Sequence, residues 1–469
     1  VDGPIEAPAA EDCPFPPGTE VLPIDLPTAL RLVNATNPTV NLARLRVDEA
    51  QAAVRLAQTA WLPNLQTGMA YNRHDGEIQN AAGLVFNTNK SNVAAFGGPV
   101  LDVDTSVGLF GPLIARQLAR AQSAATQAVT NDLQMDVALA YLDLLQAYGQ
   151  LAVNTDLLAR DQEVLRRADE AQRAQLSKTG ADINRARTEY QLRVEERISL
   201  KGQVRVASAR LARLLVLKPT VGLKPAEPTV VPVVLVPEEA CLDDLVTKAI
   251  VYRPEVVEGQ ALVDVSRTRL RQSRLSPMLP HLQVGYLGGG FGGGINSDVS
   301  NFHARGDGTA QAVWQLNGLG YGYKAQNRVR SIQVEEANVH VIEVQAQVAE
   351  EVTEAAQLAR ARREALLSSQ EAIRQALEMF RKLDAISFGT TGPKKEFDSL
   401  EPLLAIQALA QSRFQYLNDV IEYNRAQFQL YRSMGQPPIE ALPQSCALPV
   451  EVPTIPTPYS PKEENPPKR

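Results

Sequence analysis

Along most of this chain apolar residues recur with the period of a helix, and in four short stretches they alternate with the period of a strand. From about Leu113 to Ser177 no proline interrupts the helical period. Leu133, Val137, Ala140, Leu144, Leu151 and Leu158 stand close to heptad spacing there. Tyr323 to Ile386 behaves alike and is rich in alanine. At the helical rise, some 65 residues make a rod of about 100 Å, longer than any compact domain needs. Gly149 is the one blemish in the first rod, costing up to about 1 kcal/mol against alanine. Amphipathic helices are predicted before the rods, from Pro38 to Trp61 and from Pro254 to Leu275, each with proline at the first helical position, where its missing N–H would be unpaired anyway. Return helices follow the rods, from Asp182 to Leu215 and from Glu401 to Met434. The leading and return helices together approach the length of a rod, which predicts one continuous helix packed against two shorter ones stacked end to end.

This order occurs twice because the chain repeats itself. Leu26 to Tyr71 resembles Leu242 to Leu287: Pro38 matches Pro254, Val47-Asp48 matches Val263-Asp264, and, after one inserted residue, Leu62-Pro63 matches Leu279-Pro280. The domain reading is an N-terminal extension (1–25), a first repeat (26–215), a linker or collar (216–241), a second repeat (242–436) and a C-terminal collar segment with a disordered tail (437–469). The Pro-rich stretches beginning at Pro225 and Ala447 are the collar candidates.

The alternating stretches raise a difficulty. Leu65, Thr67, Met69 and Tyr71 alternate with Gln66, Gly68, Ala70 and Asn72, and Leu282, Val284 and Tyr286 alternate with Gln283 and Gly285. Val103, Thr105 and Val107 alternate with Asp102, Asp104 and Ser106, and Ala312, Trp314 and Leu316 with Gln311, Val313, Gln315 and Asn317. Four such strands would bury their apolar face on a core in an ordinary antiparallel sheet, but every helix is already committed to a rod. Lipid is the other cover, for apolar-out, polar-in alternation is the mark of a transmembrane β-barrel. Four strands cannot close around a polar lumen, and an open edge in hydrocarbon leaves backbone groups unpaired, so the chain is expected to share its barrel with copies of itself. Gln66, Asn72, Asp102, Asp104, Gln283 and Gln315 are then the lumen candidates, with polar loops from Asn72 to Asn92 and from Gly288 to Gly308 beyond the membrane.

Composition narrows the alternatives. A formal charge of −6 over 469 residues argues against a nucleic-acid partner, which needs a basic face. The four histidines are scattered singly, with no second ligand at metal spacing, and no nucleophile, base and orienter are grouped, so neither a metal, a cofactor nor an enzyme activity is expected. Gly288, Gly290 and Gly293 have dinucleotide-loop spacing, but no helical pattern follows to receive a phosphate; the glycines read as loop freedom. No apolar run reaches the length of a membrane-spanning helix. The start at Val1 is compatible with a removed signal peptide. Of three cysteines, Cys13, Cys241 and Cys446, a Cys241–Cys446 bridge and free thiols both stay open.

With its duplicated order and local motifs, the chain resembles the TolC-like outer membrane efflux proteins from about Leu26 to Pro438. The most specific stretches are "GADINRARTEY" after the first rod and "LEPLLAIQALAQSRFQYLNDVIEYNRAQFQLYRSMGQPP" after the second, with Tyr423-Asn424, Ala426-Gln427, Leu430 and Gly435 near the end; Asn37-Pro38 and Arg253-Pro254 are also typical. The resemblance implies a mainly α protein with β strands: a homotrimer whose long antiparallel helices form an α-barrel tunnel and whose twelve shared strands form one outer-membrane barrel. It implies an exit duct of a diderm bacterium, extending into the periplasm and serving a tripartite efflux or type I secretion system. The implied partners are a periplasmic adaptor, an inner-membrane pump and outer-membrane lipid. Gly180, Asp182, Ala186, Gly389, Glu401 and Ala405 become the tip and gate candidates, since Asp182 and Ala186, and Glu401 and Ala405, match the family's returning tip pattern. Acidic residues ring the closed aperture in relatives; Leu404 stands where they often have a second acid, so a weaker ring is expected, and the tip from Phe388 to Ser399 is longer and more basic than usual. The competing class is a soluble periplasmic coiled-coil adaptor or structural protein; adaptors lack a duplicated pair of amphipathic strands. Asp182 and Glu401 also have a plain reading as acids favoured at helix N-termini.

Overall fold

The computed structural model describes residues 14–175, 181–227, 229–237, 239–388 and 399–441. The chain runs through β1 (Val21–Ile24), α1 (Leu26–Thr36), α2 (Pro38–Gln58), β2 (Asn64–Gln79), β3 (Val85–Asp104), α3 (Thr105–Arg173) and α4 (Asp182–Leu214). The same order then returns as β4 (Gly222–Pro225), α5 (Leu242–Tyr252), α6 (Pro254–Leu275), β5 (His281–Ile295), β6 (His303–Val313), α7 (Tyr321–Phe388) and α8 (Leu400–Ser433). Two compact units result. One holds the described residues up to Ala43, Thr126–Val256 and those from Gln345 onward; the other holds Arg44–Ala125 and Val257–Val344.

The first unit is a helical body. Its core draws Leu26, Leu30 and Val33 from α1, Val137, Tyr141, Leu144 and Leu151 from α3, Val204 and Leu211 from α4, and Leu417, Ile421 and Phe428 from α8. All six heptad positions of the first rod are buried. Gly149 has a use: Leu417 of α8 packs where its Cβ would stand, at 2.8 Å, so a side chain there would hold the helices apart. α1 and α5, short helices ahead of the prolines, were not predicted separately; Asn37 and Arg253 sit between them and the helices that follow, and both are buried. Asn37 donates through Nδ2 to the Leu214 carbonyl at the end of α4 (2.7 Å), and Arg253 through Nη1 to the Ser433 carbonyl at the end of α8 (3.3 Å). Each repeat therefore satisfies the last carbonyls of its return helix with the residue before its proline.

Asn424 and Gln427 explain a second motif. Asn424 accepts from the Val233 N–H (2.7 Å) and donates to the Val231 carbonyl (2.9 Å), while Gln427 Oε1 accepts from the Leu235 and Val236 N–H groups (each 3.1 Å). An extended segment with no strand partner thus has its backbone paired by two side chains of α8. The parallel pair β1–β4 lies in the same unit, joining Val21–Ile24 to Gly222–Pro225.

The second unit contains a four-stranded antiparallel sheet in the order β2-β3-β5-β6. Its strands exceed the prediction. The expected loops 72–92 and 288–308 are mostly strand, leaving turns at 80–84 and 296–302. Ladder pairing is a backbone property and continues after the apolar alternation ends. The glycines of 288–294 therefore do not serve loop freedom: a Cβ on Gly289 would overlap the Ala95 carbonyl oxygen, and Phe302 occupies the space where one on Gly292 would stand. At the inner ends the prediction ran too far. Thr105 and Val107 belong to α3, and Trp314, Gln315 and Leu316 lie beyond β6.

α3 also starts before Pro112 rather than after it. Proline lacks the N–H that would reach the Gly108 carbonyl; the Trp61 indole supplies the missing donor, Nε1 lying 3.0 Å from that oxygen.

Gly149→Val is expected to destabilise the protein by about 1–3 kcal/mol through overpacking against Leu417, and Leu417→Ala in the same chain to recover part of the loss. Thermal unfolding of the single and double variants checks both.

Candidate functional site

Residues directly opposite in an antiparallel ladder share a face, so the register sorts the sheet. One face carries Leu65, Thr67, Met69 and Tyr71 on β2, Val93, Ala95, Gly97, Pro99, Leu101 and Val103 on β3, Leu282, Val284 and Tyr286 with Gly288, Gly290 and Gly292 on β5, and Ala304, Gly306, Gly308, Ala310 and Ala312 on β6. No charged or amide side chain interrupts it. Leu65 and Met69 are about four-fifths exposed, and Tyr71, Val284 and Tyr286 about half. Tyr286 covers the glycines of β6: its hydroxyl lies against Gly306. On β3 and β5 this band covers ten residue steps, about 33 Å of strand, which at a barrel tilt of about 40° is about 25 Å of height, the apolar thickness a membrane barrel presents.

The opposite face is polar at both ends. Gln66 and Asn72, Asp102 and Asp104, and Gln283 all lie on it, five of the six lumen candidates. Asn72 donates to Asn92 across the ladder (3.2 Å), and His281 contacts Asp102. Asp104 also caps α3, accepting from the Ser106 N–H at 2.8 Å. Gln315 falls outside the strands, so the structure does not bring it to this face. Arg305 and Asp307 pair on the same face at 2.9 Å.

At the tips, Asp182 is buried at the start of α4, and Ser399, the residue just before α8, donates to it: Oγ to Oδ1 at 3.1 Å. Arg185 stands 3.7 Å away. Asp182 thus joins the two return helices of one chain. Ala186 and Ala405 are fully buried, Ala186 in a cluster with Leu157, Val164, Leu403 and Ile406. Glu401 is exposed in the first turn of α8, and Leu404, one turn on, is exposed as well. Gly180 and Gly389 lie outside the described residues, as do most of the second tip, Cys13, Cys446 and the tail from residue 442; Cys241 is a free, exposed thiol.

Ion pairs that the sequence did not single out tie the helices above the tip. Asp156 of α3 receives Arg160 and, from α8, Arg413. Burial raises its pKa, and the two guanidiniums outweigh burial and hold it below the usual carboxylate value. Asp161, more deeply buried, is pushed upward by burial against the pull of Arg193 at 3.2 Å. A polar face of a long helix gives no sequence signal for which charge meets which. Among the described residues no group of His, Cys, Asp and Glu is arranged to hold a metal ion, and no helix is long and apolar enough to cross a membrane.

Neither a protein-family model nor a curated protein sequence matches the chain. Solved structures do. The outer-membrane channel OprN superposes with a TM-score of 0.68 at 17% identity, over 93% of this chain and 97% of its own. The outer membrane protein VceC of Vibrio cholerae gives 0.68 at 13% identity, over 88% and 96%. CusC, which forms a transmembrane channel, gives 0.67 at 17% identity, over 92% and 99%. The fold is that of the TolC-like outer-membrane channels, as the motifs implied.

Because the native Asp156 pKa lies below the ordinary value, its contribution to stability is present above pH of about 4 and is lost as pH falls through the native value. Asp161 has the opposite sign. Asp156→Asn is expected to cost about 1 kcal/mol or less at neutral pH and to flatten the acid limb of a plot of melting temperature against pH between 6 and 3, which calorimetry checks.

Proposed function

We propose that the chain is one protomer of an outer-membrane exit duct. Three copies would join their sheets into a twelve-stranded barrel, and the helices would continue it into the periplasm, where the tips meet an adaptor and, through it, an inner-membrane pump of an efflux or type I secretion system. The observation that carries this reading is the sheet: an uncovered apolar face of membrane height, a polar face behind it, and ladder pairing that ends at β2 on one side and β6 on the other. Two copies would give about eight strands, a barrel whose interior side chains fill, so three is the smallest number that leaves a lumen. The overlap with OprN, VceC and CusC over most of their lengths supports the same assembly.

The tip has a matching reading. Asp182, held between the two return helices, acts as a latch that keeps the tip closed, and exposed Glu401 faces the aperture and favours cations, with Leu404 weakening the ring.

The protein is expected to require detergent for extraction and to run as a trimer by native mass spectrometry; a detergent-free, soluble monomer would overturn the reading. Lysine at Gly97 or Tyr286, each one residue from the middle of the apolar band, is expected to cost about 2–4 kcal/mol of barrel stability near the bilayer midplane, while lysine at Gln66 or Asn72 is tolerated, as heat-resistance of the trimer on gels reports. In planar bilayers Glu401→Ala is expected to lower cation preference, and unchanged ion selectivity would remove Glu401 from the gate.

A further inference from the structure

The polar face of the sheet is not polar throughout. Between the amide and carboxylate end (Gln66, Asp102, Asp104, Gln283, Gln311) and the outer end (Asn72, Lys90, Asn92) lie Phe96, Phe291 and, by alternation, Leu287, with Ala70 and Ala94 beside them and His303 directly opposite Phe291. Phe96 on β3 and Phe291 on β5 are one cross-strand pair apart, so they are diagonal neighbours on one surface.

Both rings are half-buried. Phe96 is paired with Gly68 on one side and Gly289 on the other. Its Cζ lies 3.0 Å from where a Gly68 Cβ would stand, so the ring is laid along the sheet over a glycine rather than projecting from it. Phe291 already receives a cation: the Arg305 guanidinium carbon is 5.1 Å from its ring centre. Arg305 is itself paired with Asp307. On the inner side the same face carries Asp102 and Asp104, so from the helix ends up to Phe291 carboxylates outnumber the lone guanidinium. A cation is drawn to such a face, and an aromatic ring favours a cation with an apolar body over a fully hydrated one.

We propose that Phe96 and Phe291 form an aromatic contact belt on the lumen wall that binds apolar-bodied organic cations in transit. The inference rests on the duct reading, which places this face toward the lumen, and it adds a substrate class to it. Three copies of the belt would lie around the lumen of one barrel.

The test uses the purified trimer in detergent and tetraphenylphosphonium, whose free concentration an ion-selective electrode reads against protein-free micelles. Binding is expected, weakened about tenfold in Phe96→Leu/Phe291→Leu, which keeps the apolar volume and removes the rings, and retained in Phe96→Tyr. Tetramethylammonium, which has the charge without rings, and tetraphenylborate, which has the rings with the opposite charge, should each bind at least about tenfold more weakly. Equal binding by the double leucine variant, still trimeric, overturns the belt; equal binding of tetraphenylborate overturns the cation class. In planar bilayers the same cation should interrupt the wild-type current, with dwell times shortened in the double variant. A trimer that binds the cation through the rings yet never conducts would count against the duct and leave the belt standing, so the two failures are distinct.

Discussion

Backbone hydrogen bonding at the two free edges of one sheet is the constraint on which the rest depends. Among the described residues β2 and β6 each pair on one side alone. In water such edges are tolerable; beside a face as apolar as that formed by Leu65, Met69, Tyr71, Val284 and Tyr286, they would stand in hydrocarbon, where an unpaired N–H or carbonyl costs several kcal/mol. The proposed answer is closure by further copies, and it accounts for an apolar sheet face that stays exposed at Leu65, Met69, Tyr71, Val284 and Tyr286.

Duplication makes the architecture economical in sequence terms. The same structural problem, the end of a return helix beside a proline-started helix, is solved twice with different chemistry: the amide of Asn37 on the Leu214 carbonyl, and the guanidinium of Arg253 on the Ser433 carbonyl. Arg253 reaches further and also meets Glu351 at 2.5 Å. Pro112 shows the same logic locally, since the carbonyl it leaves without a donor is taken by Trp61. Each exception to helix regularity has a named partner.

The helices were legible because a heptad pattern is a direct record of burial, and Leu133 through Leu158 are buried as spaced. Strand extents were less so. Alternation marks only the part of a strand whose two faces meet different surroundings, so the ladder from Asn72 to Gln79, polar on both faces except at Ile78, looked like loop. The glycines of β5 misled for a related reason: the close approach that Gly289 permits is to the Ala95 carbonyl of β3, far away in sequence. At the tip, Asp182 was recognisable from its motif, but its partner Ser399 was not, because a long-range hydrogen bond leaves no periodic trace. Asn424 and Gln427 were likewise visible as a motif before their task, pairing the 231–236 backbone, could be read.

The most direct measurement of the central claim is disulfide trapping between the sheet edges. In a chain with Cys13, Cys241 and Cys446 replaced by serine, Met69→Cys on β2 would be combined in turn with Ala304→Cys, Ala310→Cys and Ala312→Cys on β6, all on the apolar face. Closure by three copies predicts that at least one pairing crosslinks in native membranes into dimers and a terminal trimer on denaturing gels. Crosslinking within single chains, or ladders that continue past three, would contradict it.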